Sequence, residues 1–186
     1  MTFYEEIAKL KNTLRKGWVV RNVSEKCGRV ESDAEHTFSM IMLALEIMNK
    51  RKLNLNQEKV LKMIAYHELC EIDYGDHTPM DNISKQEKYQ NELKCIKRLA
   101  EQYQMPELLD YWKEFEENKT PEARFVKKID KLDAIMQSRI YAKTGNMPEL
   151  FETFKNYNIE VYNEFKDEEE KDLWKRRQIN TINLGE

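Results

Sequence analysis

Residue types that bind metal ions or transfer protons are concentrated in the segment AYHELCEIDYGD, residues 65–76. His67 is followed at once by Glu68, and Glu71 would lie one helical turn after the histidine, on the same face. Asp76 falls where such a helix should end. Either this is a solvated acidic stretch with an incidental histidine, or its imidazole and carboxylates bind a divalent cation.

Two further candidates, His36 and Asp130, lie on apolar segments elsewhere in the chain. A buried imidazole or carboxylate needs a partner, because burial without one costs free energy. Each residue also has an ordinary explanation: His36 as a hydrogen-bonded core histidine, and Asp130 as the partner of a neighbouring lysine. Together with His67 and Glu68, however, they place two imidazoles and two carboxylates on three segments. That set suits Mn, Co, Fe, Ni or Zn better than Ca.

The elements that must position these groups are predicted to be helices. The chain of 186 residues has only five glycines and four prolines, and β proteins usually need many more turn residues. Hydrophobic residues make up 40% of the chain, enough for a core, and the formal net charge of −3 offers no basic field for nucleic acid. We therefore predict an all-α fold that forms one domain over residues 1–186.

Apolar residues at helical spacing, divided by glycine and proline, predict seven long helices and a short charged one that contains Trp174. The long helices are expected at about 3–15, 33–51, 56–72, 84–104, 106–117, 121–143 and 147–165. The helix at 33–51 is apolar on most of its circumference, so we expect it to be central and buried. Ser32 or Asp33 would cap its start.

Three cysteines, Cys27, Cys70 and Cys95, form no CxxC pair and no regular spacing. They argue against a disulfide framework and a cysteine-based zinc site, and for a reducing compartment. The N-terminus carries acids and no long apolar stretch, and the most apolar run, SMIMLALEIM, is far shorter than a membrane span. We expect a cytoplasmic protein with no membrane and no nucleic-acid partner.

The order of the candidate residues resembles a known family. The segments ESDAEHTFSM, AYHELCEIDYGD and FVKKIDKLDAI are similar to the H…HD…D pattern of the HD-domain metal-dependent phosphohydrolases. The segment GWVVRNV before ESDAEH, and the continuation from Glu71 to Gly75 and Asp76, resemble the branch that contains the 5′-deoxynucleotidases. The resemblance covers residues 5 to 165, nearly the whole chain.

The resemblance implies a domain of six to eight helices with a divalent cation at its centre. The ligands would correspond to His36, His67, Glu68 and Asp130. The expected reaction is release of phosphate from nucleoside 5′-monophosphates, deoxy forms included, for which the cation polarises the phosphate and lowers the pKa of a bound water. The family also implies a homodimer.

The same resemblance gives four residues roles in the chemistry of the substrate. Glu71 and Asp76 are the candidate catalytic residues, and Glu71 would orient or deprotonate the attacking water or protonate the leaving oxygen. Trp18 and Asp76 match positions that contact the sugar, although Trp18 could equally be a packing anchor between helices. Arg21 is the first candidate for the cation that binds the phosphate.

Two positions depart from the family pattern. Glu68 stands where the family has aspartate, and it either binds the metal through its longer side chain or leaves the coordination sphere. Gly17 stands where the deoxynucleotidases have an arginine before the tryptophan, so Arg15, Lys16 or Arg21 would have to supply that charge. These departures keep a rival open, a degenerate and non-catalytic module that binds a nucleotide or a metal. A third reading is an enzyme that hydrolyses a diphosphate or a cyclic nucleotide.

Overall fold

The computed structural model describes residues 1–78 and 81–166, and within them the fold is all-helical, as predicted. The α-helices in chain order are α1 (Phe3–Ile7), α2 (Lys16–Val19), α3 (Val23–Cys27), α4 (Asp33–Arg51), α5 (Gln57–His67), α6 (Glu71–Tyr74), α7 (Lys85–Gln102), α8 (Glu107–Glu117), α9 (Pro121–Thr144) and α10 (Pro148–Tyr157). A 3₁₀ helix, Ala8–Lys11, follows α1, and residues 159–166 are helical after a turn at Asn158. None of the helices described is long and apolar enough to cross a membrane.

Short polar side chains begin two of the long helices, and for α4 the cap lies where the sequence predicts it. The Ser32 hydroxyl accepts a hydrogen bond from the Glu35 N–H at the start of α4, and the Glu35 carboxylate accepts one from the Ser32 N–H. Thr120 caps α9, and Pro121 occupies the first turn, where its missing N–H is not needed. Such caps satisfy N–H groups that the helix itself leaves unpaired. The start of α4 is therefore fixed one turn before His36.

A hydrophobic core joins α4, α5 and α9 directly beside the candidate metal ligands. His36, His67 and Asp130 each have a fully buried apolar residue about one turn away on the same helix. These residues are Met40 on α4, Ile64 on α5 and Val126 on α9. Burial of one such side chain contributes roughly 1.5–3 kcal/mol. The packing that stabilises the fold therefore also sets the spacing of the three helices that carry the candidate ligands.

Two smaller apolar clusters flank this core. In the first, Ile96 and Leu99 of α7 pack with Trp112 of α8 and with the chain that follows α5. In the second, Trp18 and Tyr141 join α2 to the end of α9. The first cluster positions α7 beside the candidate site, and the second holds the segment that leads into α4.

Two sequence expectations are corrected by the fold. The helix α4 is not buried around most of its circumference, since Phe38 and Met42 are 65% and 52% exposed. It packs on α5, α9 and the 3₁₀ helix, and the stripe that carries these two residues stays uncovered by the described part of the chain. The predicted helix at 3–15 is divided, because α1 ends at Ile7 and a 3₁₀ helix follows. The predicted charged helix around Trp174 lies outside the described residues.

Candidate metal centre and substrate pocket

Three of the four predicted metal ligands converge on one point. One nitrogen each of His36 and His67 and one carboxylate oxygen of Asp130 all lie within 4.8 Å of one another. His36 Nε2 is 3.2 Å from Asp130 Oδ1, and the centroids of the two imidazole rings are 5.8 Å apart. Both histidines are buried, whereas Asp130 keeps part of its side chain open to the adjoining pocket.

Each imidazole is held through its Nδ1 atom, so that Nε2 faces the point of convergence. His36 Nδ1 is 2.7 Å from Asp133 Oδ2, and His67 Nδ1 is 2.6 Å from the Ile64 carbonyl oxygen. Because these oxygens only accept hydrogen bonds, the neutral imidazoles carry the proton on Nδ1 and a lone pair on Nε2. Neither Nε2 atom has a hydrogen-bond partner within the described residues. Two buried, unpartnered lone pairs beside a carboxylate fit a divalent metal ion.

The carboxylates that would attract a cation also attract a proton. Burial lowers the pKa of His36, but its contacts with Asp130 and Asp133 raise that pKa to about 10. Burial alone would raise the pKa of Asp130, yet its close contact with the His36 imidazole lowers that pKa to about 2. A divalent ion at this point would therefore compete with a proton for His36 Nε2 and would find the Asp130 carboxylate ionised.

His67 is the last residue of α5, so the helix predicted at 56–72 is wrong beyond that point. In a continuing helix the Ile64 carbonyl would accept the N–H of Glu68, but here it bonds the His67 ring instead. The chain turns, and Glu71 begins the separate helix α6 rather than lying one turn above the histidine. The turn nevertheless brings Glu71 into the same pocket.

Glu68 is shared between the two histidines and Arg15. Its Oε1 atom is 3.1 Å from His67 Nε2, 3.7 Å from His36 Nε2 and 3.0 Å from the Arg15 guanidinium. Burial would raise the pKa of Glu68, but Arg15 and His67 hold it well below its ordinary value. Arg15 reaches the site because its N–H bonds the Glu31 carbonyl, just before α4 begins. The Glu68 carboxylate thus faces both the candidate metal position and the Arg15 guanidinium.

A second group of carboxyls, Asp33, Glu71 and Asp76, lies beside the first, with one oxygen of each within 4.8 Å of the others. Both oxygens of the fully buried Asp33, and Oε2 of Glu71, lack hydrogen-bond partners within the described residues. Two causes raise the pKa of Glu71 to about 12: burial, which is the larger, and repulsion from the carboxylates of Glu68 and Asp76. Asp76 Oδ2 accepts the Lys16 N–H at 2.7 Å. Shifts of this size are typical of sites that bind ions or exchange protons.

Most of these side chains line a pocket of about 410 Å³, namely Arg15, His67, Glu68, Glu71, Asp76 and Asp130. On its other side lie residues of α7, the ring of Phe115 and part of α9. Among the described lining residues, six carboxyl side chains face four cationic ones, which are Arg15, Lys85, Lys88 and Lys127. The wall is thus acidic overall, and a phosphate group would need additional positive charge to enter it.

Trp18 and Arg21, predicted to bind substrate, do not line this pocket. Trp18 is buried between the rings of Tyr141 and Phe154, and its indole N–H donates to Glu31 Oε1 at 2.9 Å. Arg21 lies over the Phe154 ring and donates to a nearby backbone carbonyl. Arg15 lines the pocket instead. It is one of the three cationic residues that the sequence offers in place of the arginine missing at Gly17.

Glu31 and Asp133 are functional candidates that the sequence reasoning missed. One oxygen of each lies within 4.8 Å of the other and of a ring nitrogen of His36, and all three residues are buried. The signal for Asp133 was present, because it follows Asp130 by three residues and so projects from a neighbouring part of α9. Glu31 precedes the cap of α4 in an irregular segment, where periodicity carries no signal.

A family model described as HD domain matches residues 7–174, most of the chain. The chain belongs to the HD domain family. This HD-domain chain is 34% identical over 158 residues to the protein named 5′-deoxynucleotidase HDDC2 from Danio rerio, across 81% of this chain and 76% of that relative. It is 31% identical over 166 residues to the Homo sapiens protein of the same name, across 88% of this chain and 78% of that relative.

A solved structure extends the likeness to three dimensions. A conserved hypothetical protein from Pyrococcus furiosus superposes on this HD domain with a TM-score of 0.67 and 26% identity, over 88% of this chain and 97% of the other. The family and the all-helical HD architecture expected from the sequence are thereby confirmed. The family and the cluster of His36, His67 and Asp130 together imply a divalent metal ion.

Proposed function

We propose that this HD-domain chain is a metal-dependent phosphohydrolase that releases phosphate from nucleoside 5′-monophosphates, deoxy forms included. One observation carries the proposal: two buried and unpartnered Nε2 atoms and the Asp130 carboxylate converge at the edge of an acid-lined pocket. The relatives named 5′-deoxynucleotidase, at 31% and 34% identity, support a nucleotide as the substrate.

We assign the metal site to His36, His67 and Asp130, with Glu68 as the fourth ligand. Imidazole and carboxylate ligands suit Mn²⁺, Co²⁺, Fe²⁺, Ni²⁺ or Zn²⁺. A bound divalent ion supplies Lewis-acid polarisation of the phosphate and lowers the pKa of a water molecule. Its charge also offsets the six carboxyl side chains that would otherwise repel a phosphate dianion.

The other pocket residues bind and orient the substrate. Arg15 binds the phosphate in place of Arg21, because its guanidinium lines the pocket and can donate several hydrogen bonds to phosphate oxygens. Glu71, whose Oε2 has no partner among the described residues, takes a proton from the attacking water or gives one to the leaving 5′-oxygen. Asp76, oriented by the Lys16 N–H, accepts a hydrogen bond from the sugar.

The test is phosphate release by protein that has been stripped with a chelator and then given Mn²⁺ or Co²⁺. A panel of ribonucleoside and deoxyribonucleoside 5′-monophosphates reports the sugar and base preference in the same experiment. We expect metal-dependent turnover of about 1 s⁻¹ or more. A folded protein that releases no phosphate with any metal would favour the rival function, a non-catalytic module that binds nucleotides.

Three further expectations stay predictions: a single domain over residues 1–186, a cytoplasmic location and a homodimer. Light scattering on the metal-loaded protein measures the assembly directly. A mass of one chain, at concentrations where the enzyme is assayed, would contradict the homodimer.

A further inference from the structure

We infer that Tyr89, on α7, is the surface on which the nucleobase of the substrate stacks. The inference rests on the proposed hydrolysis of nucleoside monophosphates and adds a base-binding subsite to that reaction. Four residues of α7 line the pocket: Lys85, Lys88, Tyr89 and Glu92. They stand at positions i, i+3, i+4 and i+7, so they form one stripe of the helix along the pocket wall.

The residues on the wall opposite α7 are those that the proposed function assigns to the phosphate and the sugar. Hydrolysis requires the phosphate ester to lie beside His67 and Asp130, and Glu71 and Asp76 flank that position. Besides Arg15 and Glu68, the remaining lining residues are the α7 stripe, His77, Phe115, Glu116 and Lys127. The pocket volume of about 410 Å³ lies within the usual range for small-molecule sites, roughly 300–1,000 Å³. A nucleotide anchored by its phosphate therefore extends its base toward α7.

Apart from His67 and His77, two aromatic residues are among the described residues that line the pocket, Tyr89 and Phe115. Of these two, only Tyr89 keeps an open surface. Phe115 is 7% exposed, with the Lys127 ammonium 3.7 Å from its centroid and the His67 ring 5.3 Å away at its edge. Tyr89 is 36% exposed. A base that enters the pocket can therefore stack on Tyr89, whereas the Phe115 ring is already covered.

The Tyr89 ring also packs against the ring of Trp112. Its centroid is 5.2 Å from that of Trp112, with the two planes inclined by 39°, and Trp112 is almost completely buried. A ring that is fixed before binding loses little conformational entropy when a base stacks on it. Because every base presents a π face, stacking of this kind discriminates weakly between bases. We therefore expect KM values for purine and pyrimidine monophosphates that differ by less than about tenfold.

The test compares two substrates and three variants in the metal-loaded protein. The substrates are deoxyadenosine 5′-monophosphate and the base-free 2-deoxyribose 5-phosphate. Tyr89→Ala should raise KM for the nucleotide about tenfold while leaving kcat, and KM for the base-free substrate, within about twofold. Tyr89→Phe keeps the ring face and should restore the nucleotide KM. Tyr157→Ala removes an aromatic residue that is 76% exposed and does not line the pocket, so it is the matched control.

The outcomes separate this inference from the function on which it rests. An unchanged nucleotide KM in Tyr89→Ala, or an equal rise for both substrates, would overturn the base-binding role. A wild-type protein that hydrolyses neither substrate would contradict the proposed function instead. Calorimetric binding of the nucleotide then decides the subsite: affinity lost in Tyr89→Ala but retained in Tyr89→Phe supports it, and equal affinity in wild type and Tyr89→Ala refutes it.

Discussion

The two sides of the His36 ring differ in how their polar groups are satisfied. On the front side, which faces the pocket, His36 Nε2, His67 Nε2 and both oxygens of Asp33 have no hydrogen-bond partners among the described residues. On the back side, His36 Nδ1 contacts Asp133 at 2.7 Å, and Glu31 accepts the indole N–H of a buried tryptophan. Both sides are rich in buried carboxyls, so burial alone does not explain the difference.

We infer from this difference that the front side is the candidate metal-binding side and that the back side positions its residues. A buried polar group without a partner costs roughly 1–3 kcal/mol. Natural proteins tolerate such costs where activity requires them, and a satisfied network behind a ligand fixes its orientation. Substitutions on the front side should therefore remove metal and activity while preserving the fold. Substitutions on the back side should weaken metal binding gradually or lower stability.

The largest effect is expected for Asp130→Asn on the front side. Asparagine has almost the same volume but removes the negative charge from the three-residue ligand group. We expect metal content, measured by mass spectrometry of the dialysed protein, to fall close to zero. Phosphate release should fall by at least about a thousandfold.

Asp110→Asn is the matched control for this variant, because Asp110 is an exposed aspartate on α8. It should keep full metal content and full activity. Far-UV circular dichroism should show the same helical signal for both variants. A full complement of metal in Asp130→Asn would remove Asp130 from the ligand set and would end the distinction between front and back sides.

Glu68 allows a sharper test of the front side, since it contacts Arg15 as well as the two imidazoles. Glu68→Ala leaves the partly buried Arg15 guanidinium without its nearest carboxylate and removes the proposed fourth ligand. We expect metal affinity to fall by roughly a hundredfold or more, beyond the loss typical of an outer partner. Glu68→Asp should retain both metal and activity. Unchanged metal affinity in Glu68→Ala, measured by calorimetry, would mean that the two histidines and Asp130 hold the ion without it.

On the back side, Asp133→Asn tests whether the carboxylate orients His36. The amide cannot provide the same charged acceptor to Nδ1–H, so the imidazole loses the partner that directs Nε2 toward the proposed metal position. We expect the metal dissociation constant to rise about 10- to 100-fold. Activity should recover at high metal concentration, which distinguishes a positioning residue from a ligand.

Ser138→Ala is the control for this back-side variant. Ser138 is also buried on α9, but its hydroxyl donates to the Ile135 carbonyl of its own helix and does not contact the site. Its metal affinity should equal that of the wild type. If Ser138→Ala weakened metal binding as much as Asp133→Asn did, general loosening of α9 would explain both, and Asp133 would have no special role.

The sequence predicted the elements of this fold better than the contacts between them. The helices expected at 33–51, 106–117 and 121–143 agree closely with α4, α8 and α9. Apolar periodicity and capping residues are local signals. All three helices carry the periodicity, and α4 and α9 also begin with a capping side chain. The predicted continuation of α5 past His67 failed, because a side chain took the carbonyl that the helix would have used.

Contacts between distant residues had no such local signal. The resemblance to the HD pattern indicated His36, His67 and Asp130, which the fold does bring together. The pairing of His36 with Asp133 spans 97 residues, and that of Arg15 with Glu68 spans 53. Neither pairing follows from spacing along one helix. The first depends on the packing of α4 against α9, and the second on the contact between the segment before α2 and the turn after α5.

The smallest effect is expected for Trp18→Phe, which decides between the two readings of this tryptophan. Phenylalanine keeps the ring contacts with Tyr141 and Phe154 but removes the N–H that Glu31 accepts. A buried carboxylate that loses this donor should cost about 1–3 kcal/mol of unfolding free energy, measured by urea denaturation. Because Trp18 does not line the pocket, KM for the nucleotide should stay within about twofold. A raised KM at unchanged stability would instead place Trp18 against the sugar, as the sequence suggested. Such a result would show that the back side contacts the substrate as well as positioning His36.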